Sequence, residues 1–247
     1  MINNNQLIHG DCLDVMSNIP DKSIDCIITD LPFGVTAAKW DCEINLDLLW
    51  KQYNRIIKDN RPIILFGTQP FTSKLIISNI DNFKYEWIWE KSKASNFLLA
   101  RKQPLKAHEN IVVFCNGTPV YYPQKTIGKP FKGAGRSLKG SQTELVNNVP
   151  NPTFRNDNKG DRFPRTVQYF VTAESEGCYH TTQKPNKLLE YLIKTYTNEG
   201  DLILDSCAGS GSLGVAAINC NRRFIMIEKD ENYYKIAQER LDKTDKK

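Results

Sequence analysis

The sequence lacks any apolar run close to the roughly 20 residues that a membrane-spanning helix needs. Its first residues are polar and rich in asparagine, without the charged and then apolar pattern of a secretory signal. The seven cysteines are an odd number, and no two form a Cys-x-x-Cys pair, which argues against both a disulfide framework and a compact zinc site. We therefore expect a cytoplasmic protein with reduced cysteines, no metal site and no membrane contact.

The composition is that of an ordinary globular protein. Hydrophobic residues make up 40% and charged residues 25% of the 247 residues, which is enough chain for one sizeable α/β domain with an inserted region. The net charge of +5 is compatible with a polyanionic partner, but many proteins without such a partner are equally basic.

Short apolar runs alternate with stretches of helical periodicity. The pattern predicts helices over 44–58, 185–196 and 230–241, and strands over 23–29, 61–66, 83–89, 110–114, 201–205 and 223–228. Such alternation predicts a parallel sheet covered by helices on both faces. We expect Trp87 and Trp89 to lie on opposite faces of one strand and to serve packing.

The character of the chain changes over residues 117–173, which lack sustained periodicity and are rich in Gly, Pro, Asn, Ser and Thr. We predict an inserted region there, between the two parts of a main domain, 1–116 and 174–247. A charge-rich stretch of this kind is usually a solvated loop. Aromatic residues among its cations favour contact with nucleic acid instead. The candidate contacts are Lys125, Lys129, Lys132, Arg136, Lys139, Arg155, Arg162 and Arg165.

A glycine-rich turn follows the predicted strand 201–205. Glycines allow the backbone to approach a ligand closely, and residues 209–214 fit G-x-G-x-x-G. Glu228, at the end of the next predicted strand, stands where an acid that binds a ribose is expected. The turn alone fits a dinucleotide, S-adenosylmethionine or no ligand at all.

Two further features favour S-adenosylmethionine. The 38 residues that follow Gly209 are too few for the second half of a dinucleotide-binding fold. Asp205, directly before the turn, suits a ligand with a cationic amino group better than a pyrophosphate. The remaining strands must then come from the N-terminal half, which implies a permuted strand order.

An Asp-Leu-Pro-Phe tetrad, residues 30–33, follows the first predicted strand and should lie at the carboxyl edge of the sheet. An exocyclic base amine is a poor nucleophile because its lone pair is delocalised. The Asp30 carboxylate and the Leu31 carbonyl could accept its two N–H bonds, while Pro32 stiffens the loop and Phe33 stacks on a base rotated out of the duplex. A turn with one exposed acid explains the same residues equally well.

Four further short segments follow one another along the chain in an order that is typical of one protein family. They are IHGDC at 8–12, FGTQP at 66–70, KAHEN at 106–110 and HTTQKP at 180–185. With the tetrad and the turn, they resemble the β-class of amino-methylating DNA methyltransferases, the DNA methylase N-4/N-6 family. The resemblance spans about residues 6 to 242 and is greatest to small methylases of phages and prophages.

The resemblance implies a Rossmann-like methyltransferase fold in the permuted β-class order, with 117–173 as the target-recognition region. It implies that Asp30, Leu31, Pro32 and Phe33 form the catalytic tetrad. It also implies a cofactor site for S-adenosylmethionine made by Asp11, Cys12, Gln183, Lys184, Asp205, Ala208, Gly209, Gly211 and Glu228.

The chain departs from the family pattern in three places. Leu31 replaces a proline whose part is played by its backbone carbonyl, and Phe33 replaces a tyrosine but keeps the ring. Thr181 replaces a proline in the HTTQKP segment, which loosens that loop.

The leading hypothesis is a site-specific methyltransferase that acts on the N6 amine of a flipped adenine in double-stranded DNA. An acid at the first tetrad position favours adenine, whereas serine is commoner in enzymes that methylate cytosine N4. No Pro-Cys dipeptide is present, so the thiol of a cytosine-C5 enzyme is missing. RNA and protein-amide methyltransferases share the tetrad chemistry, but the basic insert fits duplex DNA better.

The alternatives are a cytosine-N4 methyltransferase, an NAD-dependent oxidoreductase and a non-catalytic DNA-binding protein. The family allows a homodimer and a separate restriction endonuclease as partners, and it places the protein in the cytoplasm of a bacterial or phage-infected cell.

Overall fold

The computed structural model describes residues 5–34, 44–130, 159–177, 179 and 183–244. Within these residues there are six α-helices: α1 (Cys12–Met16), α2 (Leu46–Ile56), α3 (Phe71–Ile77), α4 (Asn186–Tyr196), α5 (Ser212–Asn219) and α6 (Glu231–Thr244). The strands of the main sheet are β1 (Gln6–His9), β2 (Cys26–Thr29), β3 (Ile63–Gly67), β4 (Phe83–Ser95), β5 (Lys106–Phe114), β8 (Val167–Phe170), β9 (Leu202–Asp205) and β10 (Arg223–Glu228). Two further strands, β6 (Thr126–Ile127) and β7 (Asp161–Arg162), pair only with each other.

The eight strands of the main sheet lie in the order β1-β10-β9-β2-β3-β5-β4-β8. The sheet is mixed, so the prediction of a parallel sheet is wrong for one part of it. From β1 to β3 the neighbouring strands are parallel, but β5 is antiparallel to both β3 and β4. The reason is the connection: the ten residues between β4 and β5 form a hairpin, whereas a parallel crossover needs a dozen or more residues.

Helices cover both faces of the sheet, as predicted. Buried side chains of α1, α2 and α3 pack on one face, and those of α4, α5 and α6 pack on the other. The expectation that Trp87 and Trp89 face opposite sides is wrong, because residues two apart in a strand share a face. Both rings pack in the cluster under α4, where the Trp87 indole N–H donates to the Tyr196 hydroxyl at 2.6 Å.

The permuted order is present. β9, from late in the chain, lies between β10 and the early strand β2, and Ile27 pairs with Leu204 in parallel register. Parallel neighbours end at the same edge of a sheet, so the loops after β2 and β9 leave it side by side. The predicted fold class, a permuted Rossmann-like α/β fold, is confirmed.

The chain divides into two compact units, residues 1–122 with 166–247, and residues 123–165. The smaller unit contains the β6–β7 pair and covers fewer residues than the predicted insert of 117–173. The difference includes β8, which pairs with β4 in the main sheet. No helix in the described part of the chain combines the length and apolar character that crossing a membrane requires.

Candidate active site at the carboxyl edge

A cavity of about 570 Å³ opens at the carboxyl edge of the parallel strands. Its walls come from the loops after β1, β2, β9 and β10 and from the segment before α4. Of the predicted site residues, it is lined by Asp11, Cys12, Asp30, Leu31, Pro32, Phe33, Gln183, Lys184, Asp205, Ala208, Gly209 and Glu228. The two loops that carry Asp30 and Asp205 therefore share one cavity, although 175 positions separate them in the sequence.

Hydrogen bonds join the two loops where they leave the sheet. The Ser206 backbone N–H donates to Thr29 Oγ1 at 3.1 Å, and the Ser206 hydroxyl lies 2.6 Å from the hydroxyl of Tyr53 on α2. All three side chains are buried. A buried polar contact is costly to break, so it fixes the position of Asp30 relative to the turn after β9.

Asp30 belongs to a buried chain of alternating charges. The Lys184 ammonium donates to Asp30 Oδ2 and lies 3.2 Å from Glu109 Oε2. The other oxygen of Glu109 accepts from Lys91. Two cations thus neutralise two carboxylates, which makes their burial tolerable.

The two carboxylate oxygens of Asp30 differ in their hydrogen bonds. Asp30 Oδ1 is buried and accepts no hydrogen bond from any residue in the described part of the chain. The side chain as a whole is 23% exposed and lines the cavity. The site therefore holds an acceptor with unused capacity.

The electrostatics follow from burial and from these pairs. Burial raises the pKa of Asp30 above its usual range, and the charge of Glu109 adds to this against the opposing effect of Lys184. Burial would also raise the pKa of Glu109, but Lys184 and Lys91 lower it below the ordinary value. Burial would lower the pKa of Lys184, yet Asp30 and Glu109 raise it, so the ammonium stays charged.

The turn after β9 is held by a carboxylate rather than by side-chain ion pairs. Glu228 Oε2 accepts the Gly209 backbone N–H at 2.7 Å, and Oε1 accepts that of Asp230 at 2.8 Å. Both oxygens retain lone pairs for further donors. Gly209 adopts a φ of 52°, in the left-handed region that glycine enters without strain.

Asp205 is buried at the start of the same turn, where its Oδ1 accepts the Cys207 N–H at 3.1 Å. Burial raises the pKa of Asp205 to about 7, against the lowering effect of that hydrogen bond and of Thr29. The side-chain nitrogen of Gln183 is buried and donates to no residue in the described ranges. Among the described residues no cation pairs with Asp205, so the cavity presents a carboxyl group without a cation and an amide without an acceptor.

Asp11 and Lys229 close another side of the cavity. Asp11 caps α1 by accepting the Leu13 N–H at 3.0 Å, and its other oxygen lies 3.0 Å from the Lys229 ammonium. Cys12 follows it, and its interaction with Cys207 of the turn lowers the pKa of the Cys12 thiol. Among the described residues, no group of three or more His, Cys, Asp or Glu side chains could hold a metal ion.

Gly211 stands apart from the other predicted cofactor residues, since it does not line the cavity. Its φ is 79°, and a Cβ there would lie 2.9 Å from the Cβ of Ala237 on α6. The left-handed φ and the close packing of α6 against the turn both favour glycine at this position.

The predicted cations of the insert are only partly described. Lys125 pairs with Asp161 at 3.1 Å and lies 4.6 Å from the ring centre of Phe163. Arg162 donates to the Lys129 carbonyl at 2.6 Å. Lys132, Arg136, Lys139 and Arg155 lie outside the described residues, and Arg165 lies at the end of the smaller unit.

Comparison with known proteins decides the family. A family model described as DNA methylase, of the N6/N4 type, matches residues 24–239. The chain belongs to the N6/N4 DNA methylase family. The predicted DNA methylase activity and S-adenosylmethionine as the methyl donor are confirmed with it, and the oxidoreductase hypothesis is excluded.

Three known proteins illustrate the range of similarity. The DNA adenine methyltransferase YhdJ of Escherichia coli (strain K12) is 29% identical over 96% of this chain and 82% of its own length. The structure of the M1.HpyAVI–SAM complex has a TM-score of 0.66 at 23% identity, over 96% of this chain and 98% of the other. The cytosine-N4-specific PvuII DNA methyltransferase has a TM-score of 0.68 at 18% identity, over 99% and 91%. The two structures show the fold.

Several residues of the methylase site were missed by sequence reasoning. Glu109 and Lys91 complete the charge chain, and Tyr53 and Thr29 join the two loops. Arg240 of α6 is buried and donates to the Ser210 carbonyl at 2.6 Å, which clamps the turn. The KAHEN segment contains Glu109, but no local pattern predicts that its carboxylate lies beside Lys184.

Proposed function

We propose that this methylase transfers a methyl group from S-adenosylmethionine to the exocyclic N6 amine of adenine in double-stranded DNA, with Asp30 as the residue that holds the amine. One observation carries the proposal: the buried Asp30 Oδ1 lacks a donor in the described part of the chain, at the wall of the cavity. A buried acceptor without a partner costs about 1–3 kcal/mol, and a substrate N–H would relieve that cost.

The residues around the turn fit the proposed methyl donor. Asp205 suits its cationic amino group, and the buried amide nitrogen of Gln183 suits its carboxylate. Glu228, with lone pairs left on both oxygens, suits the ribose hydroxyls. When bound, S-adenosylmethionine supplies a methyl group on a positively charged sulfur, already activated for displacement.

The residues after β2 would prepare the amine. The Asp30 carboxylate and the Leu31 carbonyl accept its two N–H bonds, which directs the nitrogen lone pair toward the cavity. Lys184 favours the ionised form of Asp30 and holds it in place, Glu109 pairs with Lys184, and Lys91 pairs with Glu109. As the amine gains positive charge, the fixed Asp30 carboxylate stabilises it in a site shielded from water.

Phe33 would stack on the flipped base. Its ring lies 4.8 Å from that of Phe71, centre to centre, which supports one side of the ring. An aromatic face next to Asp30 suits any base, so stacking positions the base while hydrogen bonds discriminate between bases.

Adenine is the proposed base because the first tetrad residue is an acid and because YhdJ is named an adenine methyltransferase. Cytosine N4 is the second candidate, since the PvuII enzyme of similar fold is cytosine-N4-specific. The amine chemistry at Asp30 is the same for both.

The proposed partner is a DNA duplex, contacted in part by the cations of the region 117–173 as its target-recognition region. Lys125, Lys129, Lys132, Arg136, Lys139, Arg155, Arg162 and Arg165 remain the predicted contacts. The homodimer and the separate restriction endonuclease also remain predictions.

The test is to incubate the purified chain with duplex DNA and methyl-labelled S-adenosylmethionine, digest the DNA and identify the labelled nucleoside by mass spectrometry. We expect N6-methyladenine within one sequence context. Detection of N4-methylcytosine would mean that the target base is cytosine and not adenine. An unlabelled duplex together with retained donor binding would support a non-catalytic DNA-binding protein instead.

A further inference from the structure

The hairpin that joins β4 to β5 extends beyond the sheet at the edge where the cavity opens. β3 ends at Gly67, opposite Asn110, so residues 106–109 of β5 run past the end of the parallel strands. At about 3.4 Å per residue, those four residues alone cover about 14 Å. Glu109, at the root of this extension, is part of the charge chain that ends on Asp30. The hairpin therefore starts in the active site and projects outward from it.

The tip of this hairpin, residues 96–105, exposes large apolar side chains in an ordered turn. Leu98 is 85% exposed and Phe97 is 74% exposed. The backbone N–H groups of Lys102 and Gln103 both donate to the Leu99 carbonyl, at 2.8 and 3.0 Å. Single exposed apolar residues need no explanation, but consecutive ones on a projecting turn mark a contact surface.

The charge around the tip has a single sign. Residues 91–106 contain five cations and no acidic residue. Lys91 and Lys93 pair with Glu109 and Glu174, and the other three are Arg101, Lys102 and Lys106. Arg101, Lys102 and Lys106 are exposed. This positive charge indicates which kind of partner binds the surface. A symmetric dimer would place the same cations against each other, whereas a DNA duplex presents phosphates to them.

We propose that the hairpin tip is a DNA wedge: Phe97 and Leu98 enter the base stack beside the target nucleotide, and Arg101, Lys102 and Lys106 bind the flanking phosphates. Apolar side chains of this kind separate base steps in other DNA-bending proteins. Here the wedge would fill the space that the rotated base leaves and so favour its extrahelical position near Asp30. This inference rests on the proposed function and assigns to the hairpin a contact separate from those of the region 117–173.

The apolar part of the proposal is tested with Leu98→Ser. We expect kcat/KM for a duplex substrate to fall at least about tenfold, with the affinity for S-adenosylmethionine unchanged. The defect should shrink on a duplex that carries a mismatch at the target base, because that base costs less to rotate out. With 2-aminopurine at the target position, the fluorescence rise on binding should be smaller than in the wild type. The matched control is Ile77→Ser, which removes a side chain that is 75% exposed at the end of α3.

The charged part is tested with the double variant Arg101→Ala/Lys102→Ala. Each lost phosphate contact should reduce the slope of log K against log salt by about 0.9, so the pair should reduce it by about 1.8. The control is Lys243→Ala, an exposed cation in the last turn of α6, which should leave the slope unchanged.

Two results would overturn the proposal while the wild-type chain still methylates duplex DNA. One is equal behaviour of the hairpin variants and their controls on every substrate. The other is a shift from dimer to monomer in sedimentation that accompanies the loss of activity in Leu98→Ser, which would assign the tip to a second copy of the chain. A wild-type chain that methylates no DNA would instead refute the proposed function.

Discussion

The two sides of the cavity are built by different means. After β9, the turn is held by the Gly209 backbone N–H, which donates to Glu228, and by the close approach of α6 at Gly211. After β2, Asp30 is held by a chain of side-chain charges that runs through Lys184 to Glu109. The side formed after β9, where we propose that the methyl donor binds, depends on backbone conformation. The side formed after β2, where we propose that the target amine is held, depends on charge. Substitutions on the two sides should therefore change different measured quantities.

Of these substitutions, Asp30→Asn should show the largest difference between its effect on kcat and its effect on donor affinity. The amide keeps the shape of the carboxylate, but it loses the charge that stabilises the developing cation, so we expect kcat to fall by about 10³-fold. The dissociation constant of S-adenosylmethionine, measured by calorimetry, should stay within about twofold of the wild-type value, because we propose that Asp205, Gln183 and Glu228 hold the donor and that Asp30 does not. A parallel loss of donor binding would show that the two sides are not separate.

Glu109→Gln should have the next largest effect and should act through Lys184. Without the Glu109 charge, Lys184 loses one of its two anionic partners, and we expect kcat to fall between about 10- and 100-fold with KM for the donor unchanged. The charge of Glu109 raises the pKa of Asp30, so its removal should move the acidic limb of the kcat profile to lower pH. A structural effect alone would lower kcat at every pH without moving that limb.

Asp205→Asn should affect donor binding rather than transfer. We propose that this charge faces the donor's amino group, so its loss should weaken binding about tenfold, while kcat at saturating donor stays close to the wild-type value. In the wild type, Asp205 has a pKa of about 7 and must ionise to bind a cation, so donor affinity should fall as the pH falls through 7. Calorimetry across this range should show that pH dependence in the wild type and its loss in the variant.

The raised pKa of Asp205 also predicts a pH dependence of the stability of the protein. Because burial raises the pKa of Asp205, the folded state holds a proton that the unfolded state has released between about pH 4 and 7. That contribution to the free energy of unfolding is complete below the unfolded pKa and is lost as the pH rises through 7. Relative to the wild type, Asp205→Asn should thus gain stability in urea unfolding as the pH rises from about 4 to about 8. A constant difference would mean that Asp205 does not carry this shift.

Gly211→Ala should have the smallest effect on the chemistry. The φ of 79° and the contact with Ala237 should lower the free energy of unfolding by about 1–3 kcal/mol, measured in urea. Donor affinity of the folded protein should change little, since Gly211 does not line the cavity. Adding Ala237→Gly should restore part of the stability by making room for the new Cβ. A tenfold loss of donor affinity in Gly211→Ala would instead mean that Gly211 contacts the donor.

Sequence reasoning located the two loops because each follows a buried strand. The run at 23–29 is apolar and is followed by Asp30, and the run at 201–205 ends at Asp205, which is a local pattern. Strand β1 and helices α1 and α3 were missed, because each is short and mixes polar with apolar residues without a clear period. The charge chain was also missed, since it joins positions 30, 109 and 184, and no local pattern records which distant side chains meet.

The most direct test of one cavity with two sides is the affinity of a bisubstrate analogue, in which the N6 of adenosine is tethered by a short linker to the sulfur position of an S-adenosylmethionine analogue. Wild-type protein should bind it at least about tenfold more tightly than the donor alone, and Asp30→Asn should abolish that gain while leaving donor affinity intact. Equal affinities for analogue and donor in both proteins would contradict the convergence of the two loops on one reaction.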